Sequence, residues 1–413
     1  MIRILWNSDR IVGGTSAYSR VTREILFRLA ERGWPVAHVP MGHANKMGKW
    51  VWKGVMIYPS GDDPWNEDVI VDHYVDWKAD VLVVLKDIWV LRSTYKWALN
   101  FVPYVPIDHE PVSPSITSRL HTAFRIMVPS RFAQRELRRA GVDVPVSYVP
   151  HGVDCTVFRP LEDRERCKKA WFLEPDDFTV LVVARNQSRK MIPRMLRVYK
   201  RFLENNPDVK SHMLLWTDVR PRGLRRRYEG ALGMGVADVS VHLLPEIMEL
   251  GLGEKVMWPD EKLIREGLPD WSGGGQDMVG LYNAADVVLL TSGGEGAGLP
   301  LLEGAACGTI GVTTDYAAGP EYAGPGLAVP ASDYVVLNTP GTRYALVDID
   351  RAAEALAKIM NGDRERMARK CRRWAERFDW GRVMERYVVP FFEECEAELY
   401  PKVSKEGVES WAR

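Results

Sequence analysis

The sequence has no excess of charge of either sign. Its 413 residues contain 55 Lys and Arg and 55 Asp and Glu, so the formal net charge at pH 7 is zero. A protein without a net positive charge has no general attraction for nucleic acid, and we expect no nucleic-acid partner. With 46% hydrophobic and 27% charged residues, the composition is typical of a globular protein in water.

Long apolar runs are also missing. No run approaches the ~20 residues that a membrane-spanning helix needs, and residues 1–6 read directly as a strand, with no signal peptide before them. We therefore expect a cytoplasmic protein. The basic helix predicted at 131–140 could contact anionic lipid, but a solvated helix face is the favoured interpretation.

The sequence is poor in patterns that bind metals or form disulfides. Its eight histidines contain no His-Glu-x-x-His pattern, and an Asp-x-Asp pattern at 348–350 is better explained by Asp350 capping the next helix. We predict no metal site and no cofactor. The cysteines are scattered, odd in number and without a Cys-x-x-Cys pair, which argues against a disulfide framework and fits a reducing cytoplasm. They are Cys155, Cys167, Cys307, Cys371 and Cys395.

What the sequence does contain is a long alternation of strand and helix patterns. The chain exceeds the length of one ordinary core, so we expect two domains of roughly 150–200 residues. Strands that alternate with helices predict doubly wound parallel sheets of the α/β class. In the first half the predicted strands are 2–6, 35–40, 80–85, 104–107, 123–128 and 146–149, and the predicted helices are 16–30 and 131–140.

The second half repeats this alternation after a charged, aperiodic stretch at 155–169, which is typical of a connection between domains. Its C-terminal segment, 374–400, is helical in pattern, with aromatic residues on its buried face. The predicted strands are 178–183, 211–216, 239–243, 255–258, 285–290 and 310–313, and the other predicted helices are 192–204, 278–284, 299–306 and 350–360.

The most informative segment follows the strand at 285–290. A glycine-rich turn leads into the helix at 299–306, and this arrangement leaves backbone N–H groups free to bind an anion. Two carboxylates, Glu295 in the turn and Glu303 in the helix, would repel a bare phosphate but would accept hydrogen bonds from sugar and ribose hydroxyls. The segment therefore predicts a nucleotide-sugar ligand.

The text of this segment, EGAGLPLLEGAACG at 295–308, resembles the signature EGFGLPLLEAMACG of the retaining glycosyltransferases of family 4. Ala297 stands where the family usually has an aromatic residue. The resemblance implies that Glu295 acts on the transferred sugar and that Glu303 holds the ribose. It also implies donor contacts at the turn, namely at Gly296, Ala297, Gly298 and Leu299.

The resemblance extends from about residue 2 to residue 400 and implies the GT-B fold, in which two Rossmann-like domains face a cleft. We expect an acceptor-side domain at 1–165 and a nucleotide-sugar-binding domain at 166–378. A helical segment at 379–413 is expected to cross back to the first domain. His151 and Gly152, in a phrase shared with the family at the domain junction, are assigned a hinge role.

Two further loops are predicted to contact the donor diphosphate. Gly13 and Gly14 follow the first strand and open the first helix, and family members direct this loop at the diphosphate. Arg185 and Lys190 resemble the family's paired cations, which stabilise the negative charge of the leaving diphosphate. Arg189, between them, is interpreted as part of a solvated helix start. With two such cations, no metal ion is needed.

A polar cluster follows the strand at 104–107, at the end of the strand where α/β proteins bind ligands. The family often has a histidine here, so the resemblance implies that His109 lies near the reacting sugar carbon. Asp108 and Glu110 are candidates for binding acceptor hydroxyls.

The resemblance thus implies a retaining, metal-independent glycosyltransferase that uses a UDP- or GDP-linked sugar and a hydroxyl acceptor. A GT-B phosphorylase or a sugar-nucleotide epimerase shares the fold and stays open as an alternative, as does a non-catalytic sugar-nucleotide binding protein. The donor's base and sugar, the acceptor and the oligomeric state stay open as well.

Overall fold

The structure, a computed structural model, describes residues 1–220, 240–273, 275–337 and 342–401. Two parallel sheets dominate it, one in each half of the chain, as the alternating patterns predicted. Most of their strands are buried on both faces, because helices cover both sides of each sheet.

The first sheet has eight strands in the order β3-β4-β2-β1-β5-β6-β7-β8, all parallel except β3, which pairs antiparallel with β4. The sequence did not predict β3 and β4, each of which is only three residues long. The strands are β1 (Ile4–Ser8), β2 (Val36–Pro40), β3 (Trp50–Trp52), β4 (Val55–Ile57), β5 (Val81–Leu85), β6 (Phe101–Tyr104), β7 (Ile126–Val128) and β8 (Val146–Tyr148).

The second sheet has six parallel strands in the order β11-β10-β9-β12-β13-β14, and a separate antiparallel hairpin, β15-β16, follows it. The hairpin was not predicted. The strands are β9 (Phe178–Val183), β10 (Ser211–Trp216), β11 (Val256–Met257), β12 (Val287–Leu290), β13 (Ile310–Thr314), β14 (Leu327–Val329), β15 (Ala331–Val336) and β16 (Arg343–Val347).

Several of the helices between these strands begin at ordinary capping residues. Ser16 accepts a hydrogen bond from the Ser19 amide at the start of α1, and Ser130 caps α4 in the same way. They are α1 (Ala17–Glu31), α2 (Ile70–Trp77), α3 (Pro114–Thr117), α4 (Arg131–Arg139), α5 (Arg164–Ala170), α6 (Ile192–Asn205), α7 (Leu243–Glu249), α8 (Glu261–Glu266), α9 (Met278–Ala284), α10 (Leu299–Ala306), α11 (Gly319–Ala323), α12 (Ile349–Met360), α13 (Arg364–Ala375), α14 (Trp380–Val383) and α15 (Val389–Leu399).

Three predictions about these elements were wrong. The strand predicted at 104–107 lies three residues earlier, as β6 (Phe101–Tyr104). The strand predicted at 239–243 is not formed in its described part, since Leu243 begins α7. Leu243 and Ile247 are both buried, and their spacing of four residues is that of a helix face. Position 239 lies outside the described residues. The N-cap of α12 is Asp348, which accepts from the Arg351 amide, rather than Asp350, which lies in the first helical turn.

The C-terminal helical segment, Trp380–Leu399, contacts the first half of the chain. A π-helical turn joins α14 to α15 within it. The buried ring of Phe392 packs against Trp34, with ring centroids 6.0 Å apart. Arg125 forms ion pairs of 2.8 Å with Glu394 and with Glu398. The segment thus ties the end of the chain to the first sheet, while the boundaries at 165 and 378 stay predictions.

We expect Phe392→Ala to lower the free energy of unfolding by about 3–5 kcal/mol, because it leaves a cavity under a fully buried ring. Phe172→Ala is the matched control, since this phenylalanine is 85% exposed and its loss should cost less than about 0.5 kcal/mol. Urea unfolding followed by circular dichroism measures both. Equal destabilisation by the two variants would contradict the docking of this segment.

Candidate active site

The second sheet provides a crevice at the carboxyl ends of β9 and β12. These strands are neighbours in the sheet, and the chain continues from β9 to β10 on one side and from β12 to β13 on the other. Ligands of open parallel sheets bind at such a switch point. The loop after β9 carries Arg185, Arg189 and Lys190, and the loop after β12 is the glycine turn. The topology therefore brings the two predicted donor loops together.

Lys190 and Glu295 form a buried ion pair in this crevice. The Lys190 ammonium lies 2.6 and 2.8 Å from the two carboxylate oxygens of Glu295. The hydroxyl of Ser292 donates a third hydrogen bond to Glu295, at 2.6 Å. Burial lowers the pKa of Lys190, although the Glu295 carboxylate favours its charged form. A cation and a carboxylate thus lie side by side. Such a pair suits a ligand in which a phosphate is next to a sugar hydroxyl, because the cation can bind the phosphate and the carboxylate can accept from the hydroxyl.

Glu303 is held by two residues that the sequence reading missed. Arg20 Nη1 donates to Glu303 Oε1 at 2.7 Å, and Tyr282 Oη donates to Oε2 at 2.7 Å. Arg20 belongs to α1 in the first half and also pairs with Asp270 at 2.9 Å. Burial raises the pKa of Glu303, which Arg20 partly opposes. No local pattern indicated Arg20, since it lies on the polar face of α1, opposite the stripe of buried apolar residues.

Gly298, Ala297 and Leu299 complete the turn and lead into α10. Gly298 has a φ of +93°, a left-handed conformation that favours glycine, and it precedes the first residue of the helix. Ala297 and Leu299 are buried. The N-terminus of α10 thus lies at the crevice, one turn of helix before Glu303.

The loop of Gly13 and Gly14 connects β1 to α1, and Arg185, which is exposed, acts on its Asp9 only through its charge. A Cβ atom on Gly14 would lie 2.0 Å from the Arg10 carbonyl oxygen, so the turn requires glycine there. In the same loop the carboxylate of Asp9 accepts hydrogen bonds from Lys86 at 2.8 Å and from Ser16 at 2.6 Å. Burial raises the pKa of Asp9, but Lys86, Ser16 and the more distant Arg185 outweigh it and lower the pKa.

The interpretation of Arg189 as a solvated residue was wrong. Its guanidinium pairs with Asp108 Oδ2 at 3.1 Å, and its side chain is only 20% exposed. Asp108 belongs to the first half of the chain, so this ion pair joins the two halves. A spacing pattern within one loop cannot reveal a partner that the other half of the chain supplies.

Asp108 also orients His109. Its Oδ1 lies 2.7 Å from His109 Nδ1, an arrangement that assigns the proton to Nδ1 and leaves Nε2 as an acceptor. Burial raises the pKa of Asp108, but Arg189 and His109 outweigh it and lower the pKa to about 2. His109 is 1% exposed, and its Nε2 has no hydrogen-bond partner among the described residues. A buried acceptor without a partner is available to a ligand.

Glu110 contacts the second half through its backbone. Its amide donates to Tyr316 Oη at 2.9 Å, and its carbonyl accepts from the Arg343 amide at 3.2 Å. Tyr316 Oη in turn donates to the Arg343 carbonyl at 2.6 Å. These bonds explain the position of the Glu110 loop, whereas an acceptor role for its carboxylate stays a prediction.

The two halves touch at the glycine turn itself. A Cβ atom on Gly294 would lie 1.8 Å from the Asp108 carbonyl oxygen, and one on Gly296 would lie 2.6 Å from Pro106 Cβ. The cavity beside His109, which Arg189 also lines, measures about 20 Å³. Such a space holds about one water molecule. A sugar therefore does not fit in this cavity unless its walls move apart.

Comparisons with known proteins agree with this geometry. Residues 270–377 match the family model described as "Glycosyl transferases group 1". The D-inositol 3-phosphate glycosyltransferase of Kribbella flavida is 30% identical over 243 residues, which cover 57% of this chain and 48% of that protein. The one from Saccharomonospora viridis is 27% identical over 247 residues, covering 58% and 48%. The chain spans about half the length of these curated relatives.

Solved structures resemble nearly the whole chain. Sucrose-phosphate synthase from Thermosynechococcus elongatus has a TM-score of 0.68 and 17% identity, covering 96% of this chain and 100% of that one. Anabaena HepE in complex with UDP-glucose has a TM-score of 0.66 and 14% identity, covering 95% and 100%. These likenesses confirm the expected GT-B fold.

The described residues offer neither a cluster of metal ligands nor a membrane-spanning helix. Within the ranges that the structure covers, no group of three or more His, Cys, Asp or Glu side chains could hold a metal ion. In the same ranges, no helix is both long and apolar enough to cross a membrane.

Gly294→Ala should prevent full closure of the cleft. The added Cβ must move from 1.8 Å to at least 3.0 Å from the Asp108 carbonyl oxygen, and both partners are backbone. We expect the Glu110 amide, which is bonded across the halves, to exchange its hydrogen at least about tenfold faster. Gly48→Ala is the control, since a Cβ there meets nothing within 4 Å. Unchanged exchange at Glu110 in the Gly294 variant would contradict this account of the contact.

Proposed function

We propose that the protein is a retaining, metal-independent glycosyltransferase that moves a sugar from a UDP- or GDP-linked donor to a hydroxyl acceptor. The observation that carries the proposal is the convergence at one crevice of a buried Lys190–Glu295 pair, the α10 carboxylate Glu303 and the Asp108–His109 pair. The group 1 match over 270–377 and the GT-B fold support sugar transfer. The UDP-glucose named with HepE favours uridine over guanosine.

In this proposal the second half holds the donor. The diphosphate binds beside Lys190, Arg185 and Arg189, whose charges stabilise the negative charge that develops as the glycosidic bond breaks. Glu303 accepts the ribose hydroxyls, and Glu295 accepts a hydroxyl of the transferred sugar. Since Lys190 and Arg20 occupy these carboxylates in the closed cleft, the donor must share or replace those contacts.

The first half supplies the acceptor side. His109 Nε2, an orphan acceptor at the cleft, is available to a hydroxyl of the acceptor or of the transferred sugar, and Asp108 keeps the ring oriented. Retention follows from attack on the face from which the diphosphate leaves, with a diphosphate oxygen taking the proton of the acceptor hydroxyl. Closure of the halves excludes water and protects the donor from hydrolysis.

The direct test is incubation with UDP- and GDP-sugars and hydroxyl acceptors, followed by NMR of the product. Transfer with the donor's anomeric configuration supports the proposal, whereas an inverted product contradicts retention. Product formed without any acceptor would favour an epimerase or a hydrolase, and a requirement for inorganic phosphate would favour a phosphorylase.

Lys190→Ala should weaken donor binding by roughly 1.5–3 kcal/mol, since it removes a charge-assisted hydrogen bond to the diphosphate. Titration calorimetry with the nucleoside diphosphate measures this loss. Lys210→Ala removes an equal charge from a lysine that is 71% exposed, and it should bind like the wild type. Wild-type affinity in Lys190→Ala would refute the assignment.

Metal independence has its own test. We expect full activity in the presence of excess EDTA, because fixed cations of the chain stabilise the leaving diphosphate. Activity assayed before and after chelation, and again after Mg²⁺ or Mn²⁺ is restored, measures the effect. Loss on chelation and recovery with metal would contradict the cation model.

Variants of the two glutamates should differ in which ligand they bind less tightly. Glu303→Gln should weaken both the free nucleoside diphosphate and the intact donor, about tenfold or more, because a ribose contact is common to both. Glu295→Gln should spare the free nucleoside diphosphate and lower turnover. The reverse pattern in calorimetry and kinetics would refute this division of roles.

A further inference from the structure

A second concave site lies in the second half of the chain, apart from the glycine turn. Its cavity of about 480 Å³ is bounded by α13 and by the C-terminal ends of α9 and α10. This volume falls within the range of ordinary small-molecule sites. The residues of its walls that matter for the argument are Arg164, Arg369, Arg372, Arg373, Glu365 and Ala368.

Four arginines and one glutamate line the walls, so the lining carries a net positive formal charge. Arg372 is fixed in place, since its guanidinium donates to the carbonyls of Phe158 at 2.7 Å and of Ala306 at 2.9 Å. Arg164 donates in the same manner to the Ala285 carbonyl at 2.9 Å. Arg372 also pairs with Glu376 at 2.9 Å and Arg164 with Asp286 at 3.5 Å, so carboxylates partly neutralise these two arginines, which serve mainly to fix the wall.

Two further arginines are available at the rim. Arg369 and Arg373 are four residues apart on α13, so they lie one above the other on the same helix face. Arg369 pairs with Glu365 at 3.3 Å, but the two side chains are 65% and 87% exposed, and such pairs contribute little. For the Arg373 side chain no hydrogen bond or ion pair occurs among the described residues. Two adjacent guanidiniums suit a phosphate group.

The floor of the cavity connects it to the candidate active site. Cys307 and Gly308 line it, directly after the last residue of α10. The Cys307 amide donates to the Glu303 carbonyl at 3.1 Å, so the floor lies one helical turn from the donor-site carboxylate. An occupant that moves the end of α10 would therefore move Glu303.

We propose that this cavity binds a small phosphomonoester, with Arg369 and Arg373 on the phosphate and the organic part against the apolar side chains of Pro160 and Ala368. Binding there shifts α10 and so changes the affinity of the candidate active site for its nucleotide. The binding site stands on the geometry of the cavity alone, whereas the coupling rests on the proposed function.

The full-length chain is titrated with glucose 6-phosphate by calorimetry, with glucose as the uncharged control. A parallel arm measures co-sedimentation with phosphatidylcholine vesicles with or without phosphatidic acid, because a lipid headgroup carries the same phosphomonoester. Binding of glucose 6-phosphate identifies a soluble ligand, and binding of the phosphatidate vesicles alone identifies a lipid headgroup. Binding of neither probe overturns the proposal.

Three variants locate the site. R369Q/R373Q should weaken binding at least about tenfold, since each arginine makes a charge-assisted contact. R366Q/K370Q removes the same charge from exposed positions of α13 that do not line the cavity, and it should stay within about twofold of the wild type. Ala368→Phe fills the cavity without changing the charge and should abolish binding. Equal losses in the two double variants, or unchanged binding in Ala368→Phe, overturn the proposal.

The coupling is measured by the affinity for UDP and GDP with and without saturating phosphomonoester. A change of about fivefold or more is expected, with the same factor in the reverse titration, because coupling between two sites is reciprocal. An unchanged nucleotide affinity overturns the coupling and leaves the cavity site standing. Failure to bind any nucleotide under all conditions counts against the proposed function, while the phosphomonoester titration still decides the cavity.

Discussion

A carboxylate buried in a cleft needs a cation or a ligand beside it, because desolvation of an unpaired charge is costly. Three carboxylates of this protein meet that constraint at one place. Glu295 pairs with Lys190 within the second half, whereas Glu303 pairs with Arg20 and Asp108 pairs with Arg189 across the two halves. Two of the three pairs therefore form only when the halves close. Closing the cleft and satisfying its charges are one event.

The contacts between the halves follow from the same closure. Gly294 and Gly296 allow the turn to approach the loop after β6 so closely that any side chain would collide. The cavity beside His109 is too small for a sugar, so a sugar can reach His109 only if the walls of this cavity move apart. On separation the charged groups return to water, which offsets much of the loss of the ion pairs. A nucleotide sugar that brings its own phosphates and hydroxyls would replace these partners in the closed state.

The α10 helix links the two concave sites of the second half. Its N-terminus lies at the crevice, Glu303 lies within it, and its C-terminal end forms the floor of the arginine-lined cavity. The helix has only eight residues and is packed on most sides, so a displacement at one end is transmitted to the other. Because this connection is short and rigid, a ligand in the arginine-lined cavity would change the position of Glu303 at the crevice.

The sequence by itself determined the class of fold, most strands and helices, and the glycine turn with its two glutamates, because these depend on local periodicity and on residues close together in the chain. The loop at Lys190 was predicted from its resemblance to the paired cations of the family. The prediction of a strand at 239–243 was wrong. Its alternating apolar pattern is too short to distinguish a strand from a helix, and packing favoured the helix. Arg20, Tyr282 and the Asp108–Arg189 pair were decided only by the tertiary structure. Each partner is hundreds or tens of residues distant in the chain, and only the docking of the two halves, or of α9 on α10, brings the charges together.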